Sequence, residues 1–187
     1  MPVRTPEPER DLIERCLRFA NLRHVQTTRQ VEEIFDGTSL LGGAKVRRID
    51  PSERDVFVRD HADLRQRLEA IVSGEAGRAA VRPQVSTLLA QTVRLQLVVH
   101  RARLVLGYDA AGVGACCALA LGFILDDSRG LTNRLGQCRK RGCGRFNLTF
   151  RGRPRFFCNE KHRLAFDKID ARERVRRHRE SKKRKGA

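Results

Sequence analysis

The sequence predicts an α+β fold, a mostly helical N-terminal domain with one β-hairpin, followed by a small basic module rich in cysteine. Three observations carry this. Apolar residues recur at helical spacing before residue 75 and again over 113–127. Alternation and β-branched residues mark two short runs between 93 and 108. The last third holds nearly all the net charge together with Cys138, Cys143 and Cys158.

Residues 1–8 contain three prolines and are expected to form a loose arm. From 9 to 35 the pattern is helical. Leu12, Ile13, Cys16, Leu17, Phe19, Ala20, Val31, Ile34 and Phe35 form an apolar stripe, broken by a polar middle at 26–30. Turns are expected at 36–39 and at Gly42-Gly43. Pro51 and Ser52, with Asp55 three residues on, signal the start of another helix. That helix would bury Val56, Leu64, Leu68, Ile71 and Val72 and end at Gly74. The runs 93–99 and 103–108 fit a β-hairpin better than one long helix. A turn over 109–112 leads to a buried helix over 113–127, with Ala115, Leu119, Phe123 and Ile124 facing a core. Ser128-Arg129-Gly130 then loosens the chain. The boundary between the two domains is placed at 130/131.

The charge is confined to the second domain. Residues 134–187 carry 20 Lys and Arg against 5 Asp and Glu, whereas the preceding 133 residues carry 19 against 17. A basic patch restricted to one module is the footprint of a polyphosphate partner, and a solubilising tail is the plainer alternative. No apolar stretch follows Met1, so no secretory signal is expected. The apolar run 113–125 is shorter than the ~20 residues a membrane span requires. A cytoplasmic protein with reduced thiols, rather than a disulfide framework, is the expectation.

The informative segment is CRKRGCGRFNLTFRGRPRFFCNEKH. Cys138 and Cys143 form a C-x4-C pair, and Cys158 and His162 form a C-x3-H pair fourteen residues later. Thiolates with an imidazole are a usual tetrahedral donor set for Zn2+. Gly142 and Gly144 would let a tight knuckle aim both sulfurs at one point. Strand-like residues 146–150 and 155–157 flank Arg151-Gly152-Arg153-Pro154, a candidate hairpin turn. A helix from about 159 would place Cys158 and His162 on one face. Knuckle, hairpin and helix together describe a small treble-clef-like zinc finger. The competing view is two unrelated cysteine pairs in a basic tail, but so little apolar content needs a staple to fold. Were His162 not a ligand, three sulfurs and an open position would remain.

Beyond His162 the helix can continue to about 180, with Phe166 and Ile169 packed on the hairpin phenylalanines. Lys161, Lys168, Arg172, Arg176, Arg177 and Arg179 would face phosphates, joined by Arg145, Arg151, Arg153 and Arg155 from the hairpin. The like-charge block 182–185 is expected to lack order without a phosphate partner. Cys16, Cys116 and Cys117 sit in apolar patterns and are expected to be core thiols. His24, His61 and His100 have no partner spacing. Asp126-Asp127 looks like a solvated helix end. Neither a phosphate loop nor a nucleophile elbow nor an HExxH pattern is present, and all four metal positions are filled, so an enzyme is not expected.

At this point the layout resembles the ABATE-domain proteins with a C-terminal CGNR-type zinc finger, described as stress-induced transcriptional regulators in bacteria. Leu17-Arg18-Phe19-Ala20-Asn21-Leu22 is similar to that family's L-x-F-x-N-[TL] segment. The hairpin and helix over 93–127 are also similar, as is the run from Leu135 through Cys138 and Cys143-Gly144 to the aromatic before Cys158. The terminal RVRRHRE, residues 174–180, resembles the basic end of the finger. The chain departs from the family at the fourth ligand. A cysteine there opens a Cys-Gly-Asn-Arg sequence, where this chain has His162-Arg163-Leu164-Ala165. The resemblance implies a DNA-binding transcriptional regulator whose N-terminal domain senses a small-molecule effector or forms a homodimer. An RNA- or ribosome-associated module, with Phe146, Phe150, Phe156 and Phe157 stacking unpaired bases, is the alternative.

Overall fold

A computed structural model describes residues 7–35, 54–100, 103–110, 112–151 and 155–185. The expected turns at 36–39 and 42–43, the Ser52 cap, and Gly152, Arg153 and Pro154 lie outside these residues. The architecture is mostly helical with two small antiparallel hairpins. Helix α1 spans Glu7–Ala20 and α2 spans Thr28–Phe35, the polar stretch between them forming the break. Helix α1 starts at Glu7, inside the expected arm, and takes Pro8 into its first turn, where a missing N–H has no helical partner to lose. Helices α3 (Arg54–Ser73) and α4 (Glu75–Thr92) pack against each other, and α4 runs directly into strand β1, Val93–His100. Strand β2, Arg103–Ala110, pairs with β1 from Val93↔Ala110 to His100↔Arg103.

Helix α5, Gly112–Leu125, is the centre of the body. Its sequence, GVGACCALALGFIL, has no polar face, and it is enclosed by α1, α3 and α4. Phe19, Leu12, Ile13, Leu64, Leu68, Ile71, Leu121 and Ile124 are all essentially inaccessible. Each such side chain contributes about 1.5–3 kcal/mol relative to exposure. Cys16, Cys116 and Cys117 are buried here as expected; the Cys16 Sγ lies 3.6 Å from the Cys116 carbonyl oxygen. Burial pushes the Cys116 thiol up to about 12 and raises that of Cys16 as well, which keeps these two thiols protonated. Tyr108 of β2 packs edge-on against Phe123, with ring centroids 5.5 Å apart, and joins the hairpin to the core.

Three details differ from the sequence expectations. In α3 the chain buries Phe57 and leaves Val56 41% exposed, because the stripe through Leu64, Leu68 and Ile71 extends back by sevens to Phe57. Val72 is only half-buried. Helix α4 has no counterpart in the sequence reading, and its cause is physical. Val81 and Val85 are its buried side chains, and Gly77 and Pro83 punctuate it. The loosened segment after α5 is in fact ordered. Asp126 caps a short 3-10 turn, Asp127–Arg129, by accepting from the Ser128 N–H, and Arg129 pairs with both Asp126 and Glu9. Asp127 in turn pairs with Arg82 of α4.

The apolar core continues past residue 130. Leu131, Leu135 and Phe146 are buried in the same cluster as the helical residues. Strands β3 (Leu135–Gln137) and β4 (Phe146–Leu148) form the second hairpin, with Leu135 opposite Leu148 and Gln137 opposite Phe146. The last element, α6, spans Glu160–Lys185. It takes in the 182–185 block that was expected to lack order, in a helix-favouring Arg, Lys, Glu and Ala composition with i,i+4 pairs at Asp170–Arg174 and Glu173–Arg177. Among the described residues no helix is long and apolar enough to cross a membrane.

Gly77 has a steric role at the α3–α4 contact: a Cβ there would overlap the carbonyl oxygen of Ala70. Alanine's helix preference would favour Gly77→Ala by about 1 kcal/mol, but forcing apart two packed helix backbones costs more. We expect a net loss of about 1–2 kcal/mol in denaturant unfolding. A variant as stable as the parent would show that α3 and α4 separate without cost.

Candidate metal centre

The knuckle is the turn of the β3–β4 hairpin. Cys138 follows β3 directly, and its N–H donates to the Arg145 carbonyl (2.8 Å). The Cys143 N–H donates to the Lys140 carbonyl (3.0 Å). These bonds curl 138–145 back on itself, with Gly142 at φ 74° and Gly144 at φ 60° taking the left-handed conformations that glycine adopts without strain. The pairing differs from the one expected. Strand 146–148 pairs with residues 135–137, which precede the knuckle, and not with 155–157. The 155–157 segment instead runs beside the knuckle, where the Arg139 N–H donates to the Phe156 carbonyl (2.9 Å). That bond delivers Cys158, two residues later, to the other sulfurs.

Asn159 then starts α6. Its side-chain oxygen accepts from the His162 N–H (2.8 Å) and its carbonyl from the Arg163 N–H (3.2 Å), the pattern of an N-cap. Cys158 therefore lies just outside the helix and His162 in its first turn, and the cap sets both directions at once.

The four donor atoms of Cys138, Cys143, Cys158 and His162 lie within 4.8 Å of one another. The Cys143 and Cys158 sulfurs are 3.7 Å apart, and His162 Nδ1 is 3.5 Å from the Cys138 sulfur and 3.1 Å from the Cys158 sulfur. A tetrahedral ion with bonds of about 2.3 Å to sulfur and about 2.0 Å to nitrogen has edges of about 3.8 Å and about 3.5 Å respectively. The donors fit a metal site of that size with small side-chain adjustments. Their acid–base chemistry agrees. Burial, with Lys140 and Arg145 nearby, holds His162 below the usual imidazole range and so keeps it neutral, as a ligand must be. Burial and the adjoining Cys143 and Cys138 push the Cys158 thiol up to about 11. At Cys138 burial opposes ionisation, but hydrogen bonds from the Cys158 and Lys140 backbone and the neighbouring thiols outweigh it and lower its pKa. Without an ion Cys138 is thus the readier of the two to ionise and Cys158 the more reluctant; a dication would draw the thiols together as thiolates.

Two residues of the helical body, neither singled out by the sequence as functional, hold this knuckle in place, and Gln137 of β3 braces it from within. Asn21, at the end of α1, donates from Nδ2 to the Phe146 carbonyl (2.9 Å) and accepts from the Phe146 N–H at Oδ1 (2.7 Å). Arg65 of α3 donates to the carbonyls of Ala20 (2.8 Å) and Gly144 (3.4 Å), and its guanidinium lies 5.4 Å from the Phe146 ring centroid. Gln137 donates to the same Gly144 carbonyl (3.2 Å). Asn21 belongs to the LRFANL segment, but a partner 125 residues away leaves no local signal.

The expected nucleic-acid contacts divide. Arg145, Arg151, Arg155, Lys161, Lys168 and Arg172 are exposed. Arg177 is exposed and pairs with Glu173, and Arg176 is exposed on the same helix. Arg153 lies outside the described residues, and Arg179 is described only as part of α6. Phe166 packs on Phe157 as expected, with centroids 5.2 Å apart. Ile169 does not pack on the hairpin: it is 52% exposed, because α6 leaves the module after its first two turns. Phe146 is buried, Phe150 is partly buried on the core, and Phe156 is exposed beneath the Arg139 guanidinium at 3.9 Å. In comparison with known proteins, the chain matches no family model and no curated sequence.

Two outcomes follow from the shared core and the Asn21 bonds. Cys143→Ser, or chelation of the ion, is expected to lower the thermal midpoint of the helical body as well as unfold the knuckle. A helical transition unmoved by chelation would show that the two parts are independent. Asn21→Ala leaves both backbone groups of Phe146 unpaired and is expected to cost about 1–3 kcal/mol per buried group left without a partner. Equilibrium unfolding of the metal-loaded protein measures it.

Proposed function

We propose that this protein is a DNA-binding transcriptional regulator whose C-terminal third is stapled by a structural Zn2+ ion. The observation that carries the reading is the coupling of a closed Cys3His donor set to a long, exposed, basic helix. His162 is both a donor of the cluster and a residue of the first turn of α6, so the ion would fix where the helix starts and how it leaves. Zinc suits three thiolates and an imidazole with no carboxylate among them. With four donors from the chain no position is left for substrate, which favours a structural over a catalytic role.

Lys161, Lys168 and Arg172 project from α6 without an acidic partner among the described residues, available to phosphates. The kinship with ABATE-domain proteins carrying a CGNR-type finger belongs to the same proposal. Asn21, from the LRFANL segment, would join the helical domain to the finger in such a protein. The helical body would then sense an effector or form a dimer, and its state would reach the finger through Asn21 and Arg65. The RNA reading is weaker on one point: of the four phenylalanines offered for stacking, Phe146 is buried and Phe156 is already covered on one face by Arg139.

If about 6 phosphates are neutralised, log K for duplex DNA is expected to fall with log[salt] at a slope of roughly −5. Lys168→Glu with Arg172→Glu should lower that slope by about 2 while leaving zinc content unchanged. Competition at fixed salt decides the polymer: duplex DNA should displace a labelled duplex better than single-stranded RNA does. Stronger competition by RNA, or a salt slope near zero, would overturn the proposal.

A further inference from the structure

Beside the metal cluster, on the side facing the helical body, lies a cleft of about 590 Å³. It is walled by the turn after α1 and by the knuckle. Arg23 and His24 come from the first, Lys140, Arg141 and Arg145 from the second, and Arg65 reaches in from α3. No carboxylate lines it. Arg65 is engaged by carbonyl oxygens and, at 3.5 Å, by Glu69, but Arg23, Lys140, Arg141 and Arg145 have no acidic partner among the described residues. Elsewhere on the body arginines are regularly paired, as at Arg10–Glu14, Arg29–Glu33 and Arg82–Asp127.

Cations scattered on a convex surface are simply solvated. Here three stretches of chain, 23–24, 65 and 140–145, converge their cations on one concavity, where like charges repel and an anion relieves the repulsion. His162 lines the same cleft. Its Nδ1 faces the sulfurs, so ligation of a metal there leaves the proton on Nε2, at the far side of the ring, as a hydrogen-bond donor. Guanidinium forks, an ammonium and an imidazole N–H are the donor set of a phosphate site, since arginine matches phosphate oxygens in pairs.

We propose that this cleft is a phosphate-binding site in which Arg23, Lys140, Arg141 and Arg145 engage the oxygens of a phosphate ester, bridging the helical body and the knuckle. A cleft of this volume has room for more than one phosphoryl group and falls in the size range of small-ligand sites. The ester comes either from a nucleic-acid backbone or from a free phosphorylated small molecule. The site does not depend on the DNA reading, and the two sources separate in the test.

The test uses the full-length, metal-loaded chain with inorganic pyrophosphate as the probe, titrated calorimetrically at fixed low ionic strength. Two cleft variants, Arg23→Gln with Arg141→Gln and Lys140→Gln with Arg145→Gln, are compared with the α6 variant Lys168→Glu with Arg172→Glu. Metal content and thermal midpoint confirm that each is folded. One pyrophosphate per chain is expected, weakened at least tenfold in both cleft variants and less than threefold in the α6 variant. If pyrophosphate also displaces duplex DNA and a cleft variant lowers the DNA salt slope by about 2, the ester is a backbone phosphate. If pyrophosphate binds while duplex binding is untouched or absent, the site serves a free phosphorylated ligand, and absence of duplex binding counts against the DNA reading alone. Equal pyrophosphate affinity in parent and cleft variants, or no binding by the parent with an unchanged DNA slope, overturns the site.

Discussion

Everything in the C-terminal third depends on bringing three sulfurs and an imidazole to one point. Residues 134–187 carry a net charge of +15, from 20 basic and 5 acidic residues, and contribute few side chains to the core. Left to itself such a segment repels itself and has little to bury. A dication bound by three thiolates would be a unit of net charge −1 set among Lys140, Arg141 and Arg145, closing the loop and offsetting part of the repulsion together. Structural ions of this type contribute on the order of 10–16 kcal/mol at neutral pH, far more than any hydrogen bond in the knuckle. The knuckle bonds, the Arg139–Phe156 bond and the Asn159 cap bring the four donors to one point.

The helical body has a different economy. Helix α5 is apolar on every side and needs cover all round, which α1, α3 and α4 supply. What joins the two parts is a mixture of both kinds of force. Leu131, Leu135 and Phe146 extend the apolar core under the hairpin, while Asn21 and Arg65 satisfy backbone groups that this docking would otherwise strand. Phe146 is the point of overlap: its ring is buried, its two backbone groups are held by Asn21, and Arg65 lies over its face.

The metal ligands were legible because their chemistry is local: two pairs at fixed spacing, flanked by glycines, announce a knuckle and a helix start. The β1–β2 hairpin and α5 were legible for the same reason, through alternation and unbroken apolarity. Helix α4 was not, since Gly77 and Pro83 dilute the pattern and only Val81 and Val85 mark its buried side. The choice of Phe57 over Val56 turned on where the α3 stripe begins, close to residues outside the described set. Strand pairing in the module was misplaced because Arg155-Phe156-Phe157 reads more like a strand than Leu135-Gly136-Gln137, and only the closure of 138–145 decides which one meets 146–148. The roles of Asn21 and Arg65 arise from contacts across tens to more than a hundred residues, and no local spacing encodes them.

Helix α6 leaves the module after two turns, and the side chains of residues 171–178 are exposed. At about 1.5 Å per residue its 26 residues extend roughly 39 Å. Packed on the module at its base through Phe166, it is a lever: a tilt of about 10° at the Asn159 cap sweeps the far end through roughly 7 Å, comparable to the width of a minor groove. A subtle rearrangement around His162 is thereby magnified at the tip, and the bearing on which that arm turns is the imidazole shared by the metal cluster and the cleft.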